Sequence, residues 1–230
     1  MGLDYADAVE QLAKRAGMSM PETDSLQTSN YHYKQRLLTL LRDAARYYHQ
    51  TLRSPAGEVG RQYLLGRGMK PETIVRFGLG FAPNRRDELL QAMLEKGYTA
   101  KELADAGLIR IRQDLRKNPD GGEEKTETAY DWFRNRVMFP IINAKGDVIG
   151  FGGRVMDDSQ PKYLNSPESM VFNKRRNLYA LNMAKKTKQD ALVLTEGYMD
   201  TITMHEFGFD SAVASLGTSL TPEQAKLLSN

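Results

Sequence analysis

Apolar residues recur at three- and four-residue intervals through the first hundred positions, which predicts a chain of helices. Tyr5, Val9 and Leu12 share one face of an expected helix Asp4–Ala16 that stops at Gly17. Pro21 to Asn30 is polar and reads as a linker. A long helix is expected over about Tyr31–Leu52, with Leu37, Leu38, Leu40, Leu41, Ala44, Ala45 and Tyr48 on a broad apolar face. It should end before Ser54-Pro55. Glu58–Leu65 predicts a short helix closed by Gly66-Arg67-Gly68, and Pro71 suits the first turn of another, Pro71–Phe77. Asp87–Lys96 predicts one more, and Thr99 with Glu102 forms a capping-box pattern.

From about Leu108 the period shortens. Arg116–Thr128 is charged and contains Gly121-Gly122, so a flexible loop is expected. Val137–Ile142 and Asp147–Phe151 are β-type runs separated by Asn143–Gly146, a hairpin signal. Gly150, Gly152 and Gly153 should break or bend the second strand. The last forty residues alternate strand, helix, strand, helix: Ala191–Thr195, Gly197–Phe207, Asp210–Ser215, then a helix opened by Thr221-Pro222 with Gln224 as capping-box partner. This is the start of a parallel βαβ arrangement, and with two strands it reads as a truncated α/β unit.

Composition narrows the chemistry. The 230 residues contain no cysteine and three histidines, His32, His49 and His205, that are widely spaced. Disulfides, thiol nucleophiles and cysteine-type zinc sites are excluded, so any metal must be held by carboxylates. No apolar run approaches membrane-spanning length and the start is not a secretory signal, so no membrane association and a cytoplasmic location are expected. The net charge of +3 conceals a gradient. Residues 131–190 carry eleven Lys/Arg against six Asp/Glu, and residues 191–230 carry one Lys against five acids. A polyanion-binding surface beside a cation-binding pocket would produce that gradient, and so would ordinary surface variation.

Two groups of residues could carry chemistry. The strand ending in Glu196 would deliver that carboxylate to the carboxyl edge of a sheet, and the turn at Gly197 would bring Asp200 back beside it. Such a pair suits a hard divalent cation; it could equally serve only to favour a helix N-terminus. In the basic region, Arg134 and Arg136 alternate and should project from one face, followed by Arg154, Lys162, Tyr163, Asn165 and Lys174. Cations interleaved with Tyr163 and Phe172 suit single-stranded nucleic acid. The alternative is a solvated sheet face with both rings in the core. Ala214–Ser219 could leave room for a nucleotide or be a plain loop. A Ser/His/Asp hydrolase has little support, because His205 falls inside a helix without a nucleophile elbow.

Taken together, DWFRNRVMFPI, GFGGRV, PKYLNSPES, FNKRRNLYAL, LVLTEGYMD and AVASLGTSLT, with YLLGRGMKPETIVRFGLGFAP upstream, resemble the polymerase region of bacterial, DnaG-type DNA primases. The resemblance implies an α+β chain: a helical N-terminal segment, a basic β-rich subdomain over 30–185, and over 190–230 the first βαβα part of a Toprim α/β fold. Residues 1–21 would be the end of a zinc-binding domain plus a linker. It implies DNA-directed RNA polymerase activity that lays short RNA primers on a single-stranded DNA template from nucleoside triphosphates, with Mg²⁺ or Mn²⁺. Glu196 would be catalytic and a metal ligand, and Asp200 a second ligand. Arg134, Arg136, Arg154, Lys162, Tyr163, Asn165 and Lys174, with Arg67 in the upstream motif, would contact nucleic acid or nucleotide. Zinc, and the replicative helicase expected as a partner, would belong to family domains not found in this sequence. The Asp-x-Asp metal motif is also not found, so little primer synthesis is expected of this chain alone. The competing readings are a non-catalytic single-stranded DNA-binding remnant and another Toprim enzyme, such as a topoisomerase or nuclease. The latter lacks an active-site tyrosine context.

Overall fold

The computed structural model describes residues 22–117, 123–217 and 219–229, with Leu12, Ala13, Arg15 and Ala16. The expected helix Asp4–Ala16 lies largely outside these residues, as does Gly121-Gly122. The chain forms two compact units, Met1–Arg36 and Leu37–Asn230. Helix α1, Glu22–Arg53, begins in the first and continues through the second. It overturns the expected linker, since residues 22–30 are helical. Gln27, Ser29 and Asn30 are exposed, so this end needs no apolar face: extending a formed helix adds one backbone hydrogen bond per residue.

In the second unit, Leu37, Leu40, Leu41, Ala44, Tyr48 and Leu52 are all buried, at the spacing of one helix face. The edge of the Tyr48 ring meets Phe151 with centroids 5.3 Å apart. Short helices follow: α2 (Glu58–Gly66), α3 (Pro71–Arg76, with Pro71 in the first turn), α4 (Glu88–Glu95) and α5 (Ala100–Asp105). The Thr99–Glu102 capping box is formed in both directions.

A four-stranded antiparallel sheet stands at the centre, in the order β1 (Gly80–Ala82), β4 (Arg136–Ile142), β5 (Val148–Val155), β6 (Tyr163–Asn165). The hairpin between β4 and β5 turns at Asn143, whose side-chain oxygen accepts from the backbone N–H groups of Lys145 and Asp147. The glycines of β5 do not break it, and the strand runs through them to Val155. They provide space instead. A Cβ on Gly153 would come within 2.8 Å of the Phe133 ring, and one on Gly152 within 2.4 Å of the Tyr198 ring.

The expected loop Arg116–Thr128 is overturned over 116–117 and 123–128, while 118–122 lie outside the described residues. Strands β2 (Ile109–Lys117) and β3 (Glu123–Asp131) pair antiparallel as a two-stranded ribbon. Its backbone register sets Arg116 opposite Glu124 and Lys117 opposite Glu123. A charged run reads as loop when taken one strand at a time, because the partner strand that satisfies its backbone groups is not part of the local pattern. At the ribbon's base Ile109 and Asp131 are opposite and both buried.

A short helix, α6 (Leu181–Ala184), leads into the last part, β7 (Val193–Thr195), α7 (Tyr198–Glu206), β8 (Ala212–Ala214) and α8 (Pro222–Leu228). Strands β7 and β8 are parallel, as the pattern predicts. Tyr179 exchanges backbone hydrogen bonds with Ala214 across an antiparallel bridge. The core is continuous: Phe81, Val137, Phe139 and Ile149 belong to the same buried cluster as Tyr198, Ile202 and Ala214. No helix among the described residues is long and apolar enough to cross a membrane.

Asp131 supplies the cap that α4 lacks. Asp87, at the N-cap position, makes no side-chain cap bond, and the Asp131 carboxylate accepts instead from the N–H groups of Leu89 (2.8 Å) and Leu90 (3.0 Å). Burial pushes this carboxyl up to about 6, against the two backbone hydrogen bonds that lower it. Asp131→Ala should destabilise the protein by about 2 kcal/mol, since two buried donors lose their acceptor. A folded pKa above the unfolded one means that the native state binds the extra proton. The stabilisation contributed by that proton is therefore present at about pH 4 and lost as pH rises through about 6. Urea unfolding of wild type and Asp131→Asn from about pH 4 to 7 should show the wild type's relative stability falling with pH.

Candidate active site

Strand β7 ends at Thr195 and presents Glu196 at its carboxyl end. Gly197 is the extended N-cap residue of α7, and Asp200 lies in that helix's first turn. Both carboxylates are exposed. The Thr195 hydroxyl braces this edge, 3.1 Å from the Val213 carbonyl and 2.7 Å from the Thr201 hydroxyl. Beside it a cleft of about 420 Å³ is lined by Leu194, Thr195, Glu196, Ser215, Gly217, Ser219 and Leu220. Gly217 turns there with φ +81°, a conformation that favours glycine. Glu196 and Asp200 offer only hard oxygen donors, which fits a Mg²⁺-type ion bound by one or two carboxylates and water. Among the described residues no cluster of three or more metal-ligating side chains exists.

The basic residues fall into distinct environments. Arg154, on β5, is 5% exposed. Its guanidinium lies between two rings, 5.3 Å from the centroids of both Tyr63 and Tyr163. Its Nε has no hydrogen-bond partner among the described residues. Arg67 also lies over the Tyr63 ring, at 5.5 Å. Burial raises the Tyr163 hydroxyl's pKa; Arg154 opposes the shift, Tyr63 and Asp200 add to it, and Arg67 opposes it. Arg67, Arg154 and Tyr163 are linked through the Tyr63 ring and the Arg154 contact, and Asp200 acts on the same hydroxyl electrostatically.

Arg134 and Arg136 are not on one face. Asn135 between them has φ +51°, which turns the chain before strand alternation begins at Arg136. Arg134 is exposed, with its guanidinium 5.7 Å from the Tyr130 ring centroid. Arg136 is buried and donates to the carbonyls of Gly153 (3.2 Å) and Pro161 (2.9 Å). Burial lowers its pKa, with Asp157 opposing. Its place in the fold is to tie β5 to the segment preceding β6. Lys162 is exposed. Phe172 is 1% exposed and belongs to the core, so it offers no stacking platform. Lys174 sits in a 3₁₀ turn, Lys174–Arg176, whose backbone is fastened from α8. Thr221 Oγ1 donates to Arg175 O, and Gln224 Nε2 donates to the carbonyls of Lys174 and Asn177.

Tyr198 joins the acidic and basic halves. It is buried, its hydroxyl donates to Asn165 Oδ1 at 2.6 Å, and its ring stacks on Phe139 with centroids 5.1 Å apart. Tyr179 meets it edge-on at 4.7 Å. Asn165 in turn donates to Leu216 O and accepts Trp132 Nε1–H at its backbone carbonyl. Glu206 makes a second tie, accepting from the Lys70 N–H and the Thr73 hydroxyl. Tyr63, Tyr198 and Glu206 are not among the residues expected from sequence. The one signal for Tyr198 was its position between Glu196 and Asp200. His205 is a core residue: its Nε2–H donates to Ala212 O, and burial lowers its pKa.

Residues 47–185 match the family "DNA primase catalytic core, N-terminal domain", and residues 193–230 match a Toprim-like family. The DNA primase of Clostridium acetobutylicum is 44% identical over 226 residues, which cover 97% of this chain and 35% of that protein. The chain thus spans about a third of the length of the curated relatives it matches. A structure of the DnaG primase catalytic domain bound to single-stranded DNA superposes with a TM-score of 0.73 at 41% identity, covering 86% of this chain and 59% of that one. The Aquifex aeolicus primase, comprising zinc-binding and RNA polymerase domains, superposes at 0.71 with 31% identity, covering 99% of this chain and 52% of that one.

The Tyr198 contact can be tested through Gly152. Gly152→Ala should cost about 1–3 kcal/mol by overpacking, because Phe139 and Tyr179 leave the ring no room to retreat. Tyr198→Phe keeps the ring and removes only the hydrogen bond to Asn165, so about 1 kcal/mol is expected. Chemical denaturation of both variants checks the order.

Proposed function

This chain belongs to the DnaG-type DNA primase catalytic-core family, and from that premise we propose that it binds single-stranded DNA template and nucleoside triphosphates for the DNA-directed synthesis of RNA primers. The observation that supports the reading most is the meeting of opposite charges around Tyr163. Arg67 lies over Tyr63 and Arg154 over Tyr163, and both arginines and Asp200 act electrostatically on the Tyr163 hydroxyl. Among the described residues neither arginine has a carboxylate within ion-pair distance. Their charge remains available for phosphates, and guanidinium is well suited to them.

In this reading Arg67, Arg154, Lys162 and Lys174 hold phosphates of template or nucleotide, while Tyr163 and Asn165 fix where the chain lies. Arg134 contacts the strand directly. Arg136, buried on two carbonyls, acts by shaping β5 and the approach to β6. Glu196 and Asp200 would hold a divalent cation, Mg²⁺ or Mn²⁺, which when bound stabilises charge on a triphosphate and on an attacking hydroxyl. Glu196 is the residue assigned to catalysis. A cytoplasmic location accords with replication. A second reading, strand binding without catalysis, draws on the acidic edge having two carboxylates and no larger cluster among the described residues.

If roughly four to six phosphates are contacted, log affinity for single-stranded DNA should fall with log salt at a slope of about −3 to −4. Arg134→Ala with Lys162→Ala should make the slope shallower; a salt-independent affinity or an unchanged slope would remove the assignment. Mn²⁺ titration followed by water proton relaxation should show at least about tenfold weaker binding in Glu196→Gln. Template-directed nucleotide incorporation lost in Glu196→Gln supports the enzyme reading. Strand binding with no incorporation by the wild type supports the second.

A further inference from the structure

Two helical arms that carry site residues meet at Glu206. On the first, α2 holds Tyr63 in its last turn and Arg67 as its C-cap. This helix ends in a Schellman motif: Gly68 turns with φ +82°, its N–H donates to Leu65 O, and Met69 N–H donates to Leu64 O. Leu64 and Met69 are both buried in the main core, so little freedom is left between α2 and α3. On the second arm, α7 carries Asp200 in its first turn and ends at Glu206. At about 1.5 Å per residue, these two positions stand roughly 9 Å apart along the helix.

Glu206 Oε1 joins the arms. It accepts from the Lys70 N–H at 2.8 Å and from the Thr73 hydroxyl at 3.1 Å. Lys70 is the N-cap residue of α3 and makes no side-chain cap bond of its own. In a capping box the third helical residue lends its carboxylate to the N-cap N–H. Here that residue is Thr73, and the carboxylate comes from 133 positions later. Beside this tie the Phe77 ring meets His205 edge to face, with centroids 5.2 Å apart. Ring packing is non-directional and holds the arms together, whereas hydrogen bonds to one oxygen also fix their angle. A cap from within α3 would stabilise that helix alone. Drawn from α7, the cap makes the place of α3 depend on the place of the acidic edge.

We infer that Glu206 is a positioning residue, which sets the arm bearing Tyr63 and Arg67 against the helix bearing Asp200 so that a metal-bound triphosphate is gripped from both sides. Arg67 and Asp200 already act with opposite sign on one group, the Tyr163 hydroxyl. The inference rests on the nucleotide-binding function proposed above and adds to it a residue that touches neither nucleotide nor metal.

The test is the affinity of the 230-residue protein for a fluorescent ATP analogue with Mn²⁺, followed by anisotropy. Glu206→Ala should weaken it about five- to tenfold, as for the loss of one hydrogen bond. Mn²⁺ alone should bind this variant as it binds wild type, which a general loss of structure would not allow. Glu206→Gln keeps an acceptor oxygen and should stay within about twofold of wild type. Because Glu206 acts through Arg67, Glu206→Ala should have little further effect in an Arg67→Ala background. If thermal melts show Glu206→Ala unfolded, Thr73→Val decides, with an expected loss of about two- to fivefold. Wild-type nucleotide affinity in the deciding variant, or equal losses with and without Arg67, would overturn the inference and leave the active-site reading intact. Absence of nucleotide binding by the wild type would overturn both.

Discussion

The arrangement depends on a ring seated on a strand with no side chain beneath it. Tyr198 occupies the space that a Cβ on Gly152 would fill, closes on Phe139 and Tyr179, and spends its hydroxyl on Asn165. Removing so large a ring from water is favourable by itself. The specificity comes from the vacancy and the hydrogen bond, which together allow one depth and one rotation. Because Tyr198 lies between Glu196 and Asp200 in sequence, fixing it fixes where the carboxylates stand relative to the basic strands. Gly152 is therefore a positional device for the acidic edge, though it lies about fifty residues away in the chain.

The two sides of the site are built by different physics. The acidic side follows from backbone topology: a parallel strand must end somewhere, and its carboxyl end exposes whatever residue comes next. The basic side depends on packing. Arg154 is held in a buried position against two tyrosine rings, which supply electrostatic attraction without an ion pair. Arg136 has the same residue type and nearly the same burial, and it is consumed by backbone carbonyls. Of two neighbouring buried arginines on paired strands, one thus rests on rings and the other is tied to backbone carbonyls.

Much of the fold was legible in sequence because its signals are local. The apolar face of α1, the capping boxes at Thr99 and Thr221, the Asn143 turn and the βαβ alternation were all anticipated and are present. What was missed depends on partners far along the chain. The charged ribbon looks like a loop until Arg116 is set against Glu124. Arg134 and Arg136 look like neighbours on a strand until Asn135 is seen to adopt a left-handed conformation. In the site, Glu196 and Asp200 stood out because strand ends are readable. Tyr63 did not, because its contacts are with two arginines, one of them far along the chain.

The fastening of the Lys174–Arg176 turn has a consequence for the order of assembly. Its carbonyls are held by Thr221 and Gln224, 46 to 50 residues later in the chain. During vectorial synthesis those hydrogen bonds cannot exist until the last helix has been made, whereas the β4–β5 hairpin needs nothing downstream of Val155 to pair. A nascent chain would accordingly acquire its central hairpin first and fasten the Lys174–Arg176 turn last, so the backbone that carries this lysine is set only as the acidic half is completed.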